Sequence, residues 1–461
     1  MSFDPYIAQN RFGYGPGPGL KSPTSVQHML DLLAGPDTQA ERFPISGFAE
    51  VYGDLQDIQT LTNAFRKARS KGGPGVEIAK TARKEKYREM SRQRDAWFLA
   101  SLNRCTTAQD AFRERLVRFW TDHFTVIGKG PRFKSVASTF AEDVVRPNVG
   151  GRFADMLRAS STHPVMLHYL DQFASAGEGS KLAMKGKRSL NENLAREILE
   201  LHTLGVDGNY TQDDVRAFAN LLAGLTLDDD GRTGFRPQKG NPGPEIVLGK
   251  SYGRQKPRVD DIFEALDDIA RHPDTARHIA RKLATHFVSD DPDTALVDAL
   301  TVSFTKNDGD LMALYETLLN HPISWATKQM KVKQPFDFVA SAIRSLGIPT
   351  DALTSLKRKE RNLVFFGPLK LMGQPWESPD GPDGWPEDAA DWITPQGLAA
   401  RIQWAISAPS SFDVKLPDPR DFVQTALAGQ ASETTNFAAR AAETRWEAIG
   451  IILASPEFQR R

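Results

Sequence analysis

The sequence predicts an all-α protein: a large helical array, in one merged domain or two helical lobes, with Gly/Pro-rich ordered loops and little strand. Three observations predict it. Apolar residues recur at the period of an amphipathic helix along most of the chain, as in Phe112, Leu116, Phe119 and Trp120. Start signals such as Ser189 with Glu192 three residues later, and stop signals such as Gly205 and His272-Pro273, punctuate that pattern. Strand-like alternation is scarce. The 461 residues exceed the roughly 250–300 at which a single core stops growing, so one merged domain and two lobes both stay open.

In chain order, residues 10–19 hold too much Gly and Pro for a helix interior and should form an ordered turn before a first helix near Val26 to Leu33. Arg11 could reach back into the fold from there. Between Leu55 and Leu102 a polar, basic segment broken by Gly72-Gly73-Pro74-Gly75 reads as two helices, with Glu85 and Glu89 interleaved among its bases as on a solvated face. Ala108 to Val126 is strongly helical and carries His123 on its apolar face. A helix near Ser135 to Val145 should end before Pro147, and another should run from Arg152 to Ser160. Residues 174–188 should form a loop. Thr211 and Asp214 cap a helix over Val215 to Leu225.

These breaks suggest an N-terminal helical lobe at 1–227, a connecting excursion at 228–256 that is either an ordered loop or a short hairpin, and a C-terminal lobe at 257–461. The second half resumes with helices at about 258–271, 274–288, 293–306 and 309–320, and His286 lies on an apolar face with Ile279 and Leu283. Residues 332–347 and 351–366 also read as helical. Loop 373–392 sets Trp376, Trp385 and Trp392 among acidic residues including Glu387; indoles there can stack on a sugar or peptide, or pin the loop to the body. A helix at 395–407, a Pro-rich connector at Asp413 to Asp421 and a helix at 435–455 close the chain.

Lys+Arg and Asp+Glu both total 58, so the formal net charge is +0 and no global attraction to nucleic acid or an anionic membrane is expected. One cysteine, Cys105, rules out an intramolecular disulfide and a Cys-rich zinc site. No run approaches the ~18 apolar residues of a membrane span, and the N-terminus has no basic segment leading into an apolar run. The expected location is cytoplasmic, or outside the cell if exported in complex with a partner.

The stretch from Ser189 to Gly205 reads as one capped helix with a charge on its apolar side. At about 100° per residue, Leu190, Leu194, Leu201 and Leu204 form a stripe edged by Ile198, and Glu197 projects between Leu190 and Leu204. A buried carboxylate needs a partner, a metal or a proton. Arg11 and His123 are candidate partners in a buried network. A second arrangement joins Glu197, His123 and His286 as two histidines and one carboxylate around a divalent metal, suited to assisted hydrolysis or oxidation. A third makes Glu197 a metal-free general acid or base beside Asn193 and His202, although His202 points about 140° away on a regular helix.

The assembled motifs resemble those of the bacterial domain of unknown function 1800 family over nearly the whole chain. They are Arg11-Phe12-Gly13-Tyr14-Gly15, Phe119-Trp120-Thr121-Asp122-His123-Phe124, the segment from His163-Pro164 to Leu170-Asp171, and Asn191-Glu192-Asn193-Leu194-Ala195-Arg196-Glu197 running on to Gly205. Tyr210 to Val215, Lys282 to Phe287, Gly373 to Trp376 and Gly384 to Pro386 complete the set. The resemblance implies a mostly helical protein of unassigned activity, often encoded beside a sulfatase-like protein that could be its partner. It makes Arg11, His163, Asp171, Glu192, Arg196, Glu200, His202, Trp376 and Trp385 candidate binding residues, beside Glu197, His123 and Asn193 as candidate catalytic ones. Two places depart from the family pattern, Ala223-Gly224-Leu225 and Gly240-Asn241-Pro242-Gly243, the second where relatives commonly carry His-Glu-Pro-Gly.

Overall fold

A computed structural model describes residues 3–461, and helices dominate them; the strands form two small antiparallel hairpins. Leu225–Leu227 pairs with Thr233–Phe235, and Glu245–Val247 pairs with Lys250–Tyr252. The excursion at 228–256 is therefore built around short hairpins. Leu225, at one of the positions that depart from the family pattern, is buried opposite Phe235. Asn241, at the other, ties the 177–179 loop by accepting the Gly179 N–H at 2.6 Å and donating to Glu245.

The helical reading holds along most of the chain. Phe48–Lys71 and Gly75–Thr107 pack against each other across a break where Gly72 and Gly73 take φ of 70° and 88°, which only glycine adopts cheaply. Ala111–His123, Phe153–Thr162, Val259–Ala270, Pro273–Phe287, Thr294–Lys306 and Leu311–Asn320 follow the expected segments. Thr211 and Asp214 form the expected reciprocal cap on Gln212–Leu222.

Four local expectations need correction. The chain does not stop before Pro147: a π-helical turn at Ala141–Val145 widens the backbone, and Arg146–Asn148 continues through the proline, whose missing N–H such a turn tolerates. Residues 351–366 are not one helix but Thr350–Ser355, Arg358–Arg361 and a π turn at Asn362–Phe366, leading into Gly367–Leu371. The Pro-rich connector ends in a helix, Pro419–Leu427, because Asp418 caps it and Pro419 occupies the first turn, where its lack of an N–H costs nothing. Residues 435–455 divide into Glu433–Ala441 and Arg445–Ala454, the second starting at a Thr444–Glu447 capping box.

Two hydrophobic cores result. The larger runs from Ile7 to Trp325 and takes in the helices on both sides of the 228–256 excursion. The smaller gathers Phe336 to Phe458 with Tyr14 and the Phe98–Cys105 end of the long helix. Buried charged residues include Arg104, Arg115, Asp337, Arg401 and Arg461.

Candidate functional site

The central helix starts three residues later than its caps suggest. Asn191 Oδ1, not Ser189, accepts the Asn193 N–H at 2.9 Å; Asn193–Glu197 is α-helical and Ile198–His202 is a π turn. Gly205, at φ 89°, ends it as expected. Two consequences follow for Glu197. Leu190 precedes the helix, so the stripe that would have enclosed the carboxylate is incomplete, and the π turn rotates everything after residue 197. Glu197 is half-buried, with no ion pair among the described residues. Burial, then Glu200 and Asp383, raises its carboxyl to about 7, with Arg196 pulling the other way.

None of the proposed partners reaches it. Arg11 points elsewhere: it ends a helix, Pro5–Arg11, that Asp4 caps and that precedes the expected first helix at Val26–Ala34, and it donates to the carbonyls of Ser324, Ala326 and Lys328 at 2.6, 2.7 and 3.0 Å, clamping that helix to the 322–328 turn. His123 is buried with its Nε2 3.1 Å from the His202 carbonyl, which accepts its proton, and burial drives its pKa well down. His286 belongs to a different network. Among the described residues no three His, Cys, Asp or Glu side chains are grouped so as to hold a metal ion, so the His123–Glu197–His286 triad does not assemble. Each ligand sits on its own helix, and nothing in the sequence made those helices converge.

Most of the remaining candidates make contacts within the fold. Asn193 is exposed, which removes it from a buried acid–base site. Arg196 pairs with Glu192 and Glu200, both at 3.2 Å, and also donates to Gln212, so these three residues form one surface ladder. His163 caps the Pro164–Tyr169 helix: its Nδ1 accepts from Val165 N at 3.2 Å, leaving Nε2–H to donate to Asp143 at 3.1 Å. Asp171 pairs with Lys129 at 2.7 Å at the surface. The tryptophan loop is pinned. Trp376 packs on Phe98 and Phe336, Trp392 is buried with its N–H on the Pro386 carbonyl, and the Trp385 backbone N–H donates to Asp122 Oδ1 at 3.0 Å. Gly384 permits that approach, since a Cβ there would lie 2.8 Å from the Asp122 carbonyl and the backbone has φ 82°.

The densest polar arrangement surrounds His286. Arg115 Nη2 lies 3.0 Å from His286 Nε2; since a guanidinium only donates, Nε2 accepts and Nδ1 carries the proton that it gives to Glu387 Oε1 at 2.6 Å. Glu387 also faces Lys331 Nζ at 3.0 Å, and Lys331 contacts Asp290 at 2.5 Å. Burial alone would raise the Glu387 carboxyl, but His286 and Lys331 hold it down at about 2. Arg115 is closed off by Asp337, and Arg461 reaches both Asp337 and the His286 carbonyl. The charges here are paired with one another, although Arg115 Nε and Arg461 Nε are buried without a hydrogen-bond acceptor.

Beside it lies a looser cluster that sequence reading missed. His278, Lys282 and His286 follow one another at i,i+4 on one helix, and the His278 and His202 rings sit 6.3 and 6.1 Å from His123. Burial, reinforced by the Lys282 charge, lowers His278 to about 4 and His202 to about 3, so the histidines are neutral. Burial also lowers Lys282, against the pull of Asp122, Glu387 and Asp383. Asp122 rises to about 7 because it is buried, despite the Trp385 N–H and nearby Lys282. The i,i+4 row was legible in the sequence; its convergence with Asp122 was not.

A separate surface feature stands out on the smaller core. Leu363, Leu371, Ala400, Gln403 and Ser407 line a cavity of about 390 Å³ between the 362–371 segment and the Pro395–Ser407 helix. Leu363 is 65% exposed and Leu371 53%. Basic Lys357, Arg358, Lys359 and Lys370 are exposed along the same chain segment. No helix of the described residues is long and apolar enough to cross a membrane.

A family model described as "Protein of unknown function (DUF1800)" matches residues 7–460. No curated protein and no solved structure matches.

Proposed function

We propose, for a chain that belongs to the DUF1800 family, a binding or accessory role: a rigid helical body that docks a protein partner through the groove beside Leu363 and Leu371. The carrying observation is that groove, with Leu363 and Leu371 exposed at it and with basic residues exposed in the same 357–370 segment, outside the groove lining itself. Exposed apolar surface of this kind marks interaction sites, and a groove between helices suits an amphipathic helix whose apolar side enters and whose acidic flank meets Lys357, Arg358 and Lys370. The sulfatase-like protein suggested by the motif resemblance is the partner to try first.

Support also comes from the interior. His286, Glu387, Arg115 and Lys331 are paired with one another and with Asp337 and Asp290, and Glu197 has no histidine beside it, which favours a role for these groups in holding helices together. The test is co-purification of the tagged chain with the sulfatase-like protein, in wild type and in Leu363→Glu. Association that Leu363→Glu abolishes, with the thermal midpoint unchanged, supports the reading. Lack of association in either order of expression sinks the partner, and association untouched by Leu363→Glu sinks the groove.

A further inference from the structure

The second cavity, of about 110 Å³, opens between the Ala111–His123 helix, the π turn at 141–145 and the tryptophan loop. Its lining includes Arg118, Asp122, Phe336, Trp376, Glu377 and Trp385. The arginines around it differ sharply in how they are satisfied. Arg104 is bidentate to Glu142, and Arg146 to Glu114 with Asp37 in addition. Arg118 has only ring faces, Phe336 at 4.1 Å and Trp376 at 5.7 Å, and among the described residues it makes no ion pair or hydrogen bond. A half-buried guanidinium with five donors and no acceptor is an open position for an anion.

The wall nearby is similarly incomplete. Trp376 Nε1 and Glu377 Oε2 are both buried without a hydrogen-bond partner, and Glu377 holds φ 50°, an uncommon conformation for a side chain of its kind. Only one Glu377 oxygen is satisfied, by the Ser138 hydroxyl. Burial raises the Glu377 carboxyl to about 7, so it is a weak internal counter-ion for Arg118.

We propose that this cavity binds a small organic monocarboxylate with an apolar body, its carboxylate paired with Arg118 and its body against Trp376 and Phe336. A guanidinium presents the planar fork that matches a carboxylate. The two neighbouring carboxyls, Asp122 and Glu377, disfavour a dianion such as phosphate or sulfate more strongly than a single negative charge. The inference is independent of the docking groove, which involves other residues and can fail without it.

The test uses fluorobenzoate as the probe, titrated into the full-length protein and followed by fluorine NMR, with inorganic sulfate as competitor. Saturable binding is expected, weakened about tenfold or more in Arg118→Gln, since a hydrogen bond to a charged group contributes about 1.5–3 kcal/mol. Glu377→Gln, which removes the competing carboxyl at nearly the same shape, should bind at least as tightly as wild type. Circular dichroism establishes that each variant is folded; if Arg118→Gln is not, Glu377→Gln decides alone. Absence of saturable binding, equal binding by Arg118→Gln, weaker binding by Glu377→Gln, or displacement by sulfate as effective as by unlabelled benzoate would each overturn the proposal.

Discussion

Replacing Glu387 by Gln removes the one negative charge shared by His286 and Lys331. Its carboxyl is held at about 2 instead of its usual 4.5; at about 1.4 kcal/mol per tenfold change in proton affinity, this corresponds to about 3 kcal/mol at neutral pH. An independent figure, about 3–5 kcal/mol for breaking a buried pair by removing one partner, agrees. Because the folded value lies below the unfolded one, the contribution is complete above about 4.5 and is lost as pH falls toward 2. Glu387→Gln should therefore lower the stability of the first unfolding transition in urea by about 3 kcal/mol at pH 7. The gap to wild type should close progressively in acid. Tryptophan fluorescence follows the transition, as Trp385 and Trp392 lie on the same loop. A loss under about 1 kcal/mol at pH 7, or a gap that stays constant in acid, would refute the view that this carboxylate is ionised and holds the loop to the body.

Other outcomes follow from the same geometry. Arg11→Ala strands the carbonyls of Ser324, Ala326 and Lys328 and should cost about 3 kcal/mol, with amide exchange accelerating in the 322–328 turn as the local readout. Glu197→Gln should behave in the opposite sense to Glu387→Gln: a carboxyl raised to about 7 by burial penalises the folded state as pH climbs past 4.5, so the variant should match wild type in acid and exceed its thermal midpoint above neutrality. A marked destabilisation by Glu197→Gln would refute this and mean that the ionised carboxylate has a stabilising partner. Gly384→Ala places a Cβ 2.8 Å from the Asp122 carbonyl and Oδ1 at φ 82°, and should lower the thermal midpoint and free the Trp385 ring, read as a red shift in emission.

Several features were legible in residue order. Helix period, breaks such as Gly72-Gly73 and caps such as Thr211–Asp214 are local, and the backbone obeys them wherever local hydrogen bonds decide the outcome. The apolar placement of His123 and His286 was also readable, and both are buried. Helix phase across a π turn was not, because one extra residue in a turn depends on packing and rotates all that follows; with the helix starting only at Asn193, Leu190 before it and Leu201 and Leu204 after the turn lose the phase relative to Glu197 that a regular helix from Ser189 would give them.

What residue order determined by itself was the all-α class, most helix positions and the presence of polar groups on apolar faces. Which of those groups met was left to tertiary structure, since Arg115 and His286 are 171 residues apart and His286 and Glu387 are 101 apart. Pairings at such separations arise from how helices dock around two cores, and docking is governed by the summed burial of many side chains, with no local signature at the residues that end in contact. Arg118 shows the same point in reverse: its spacing from Arg115 distinguishes nothing, and only the folded chain leaves one of them ion-paired and the other open.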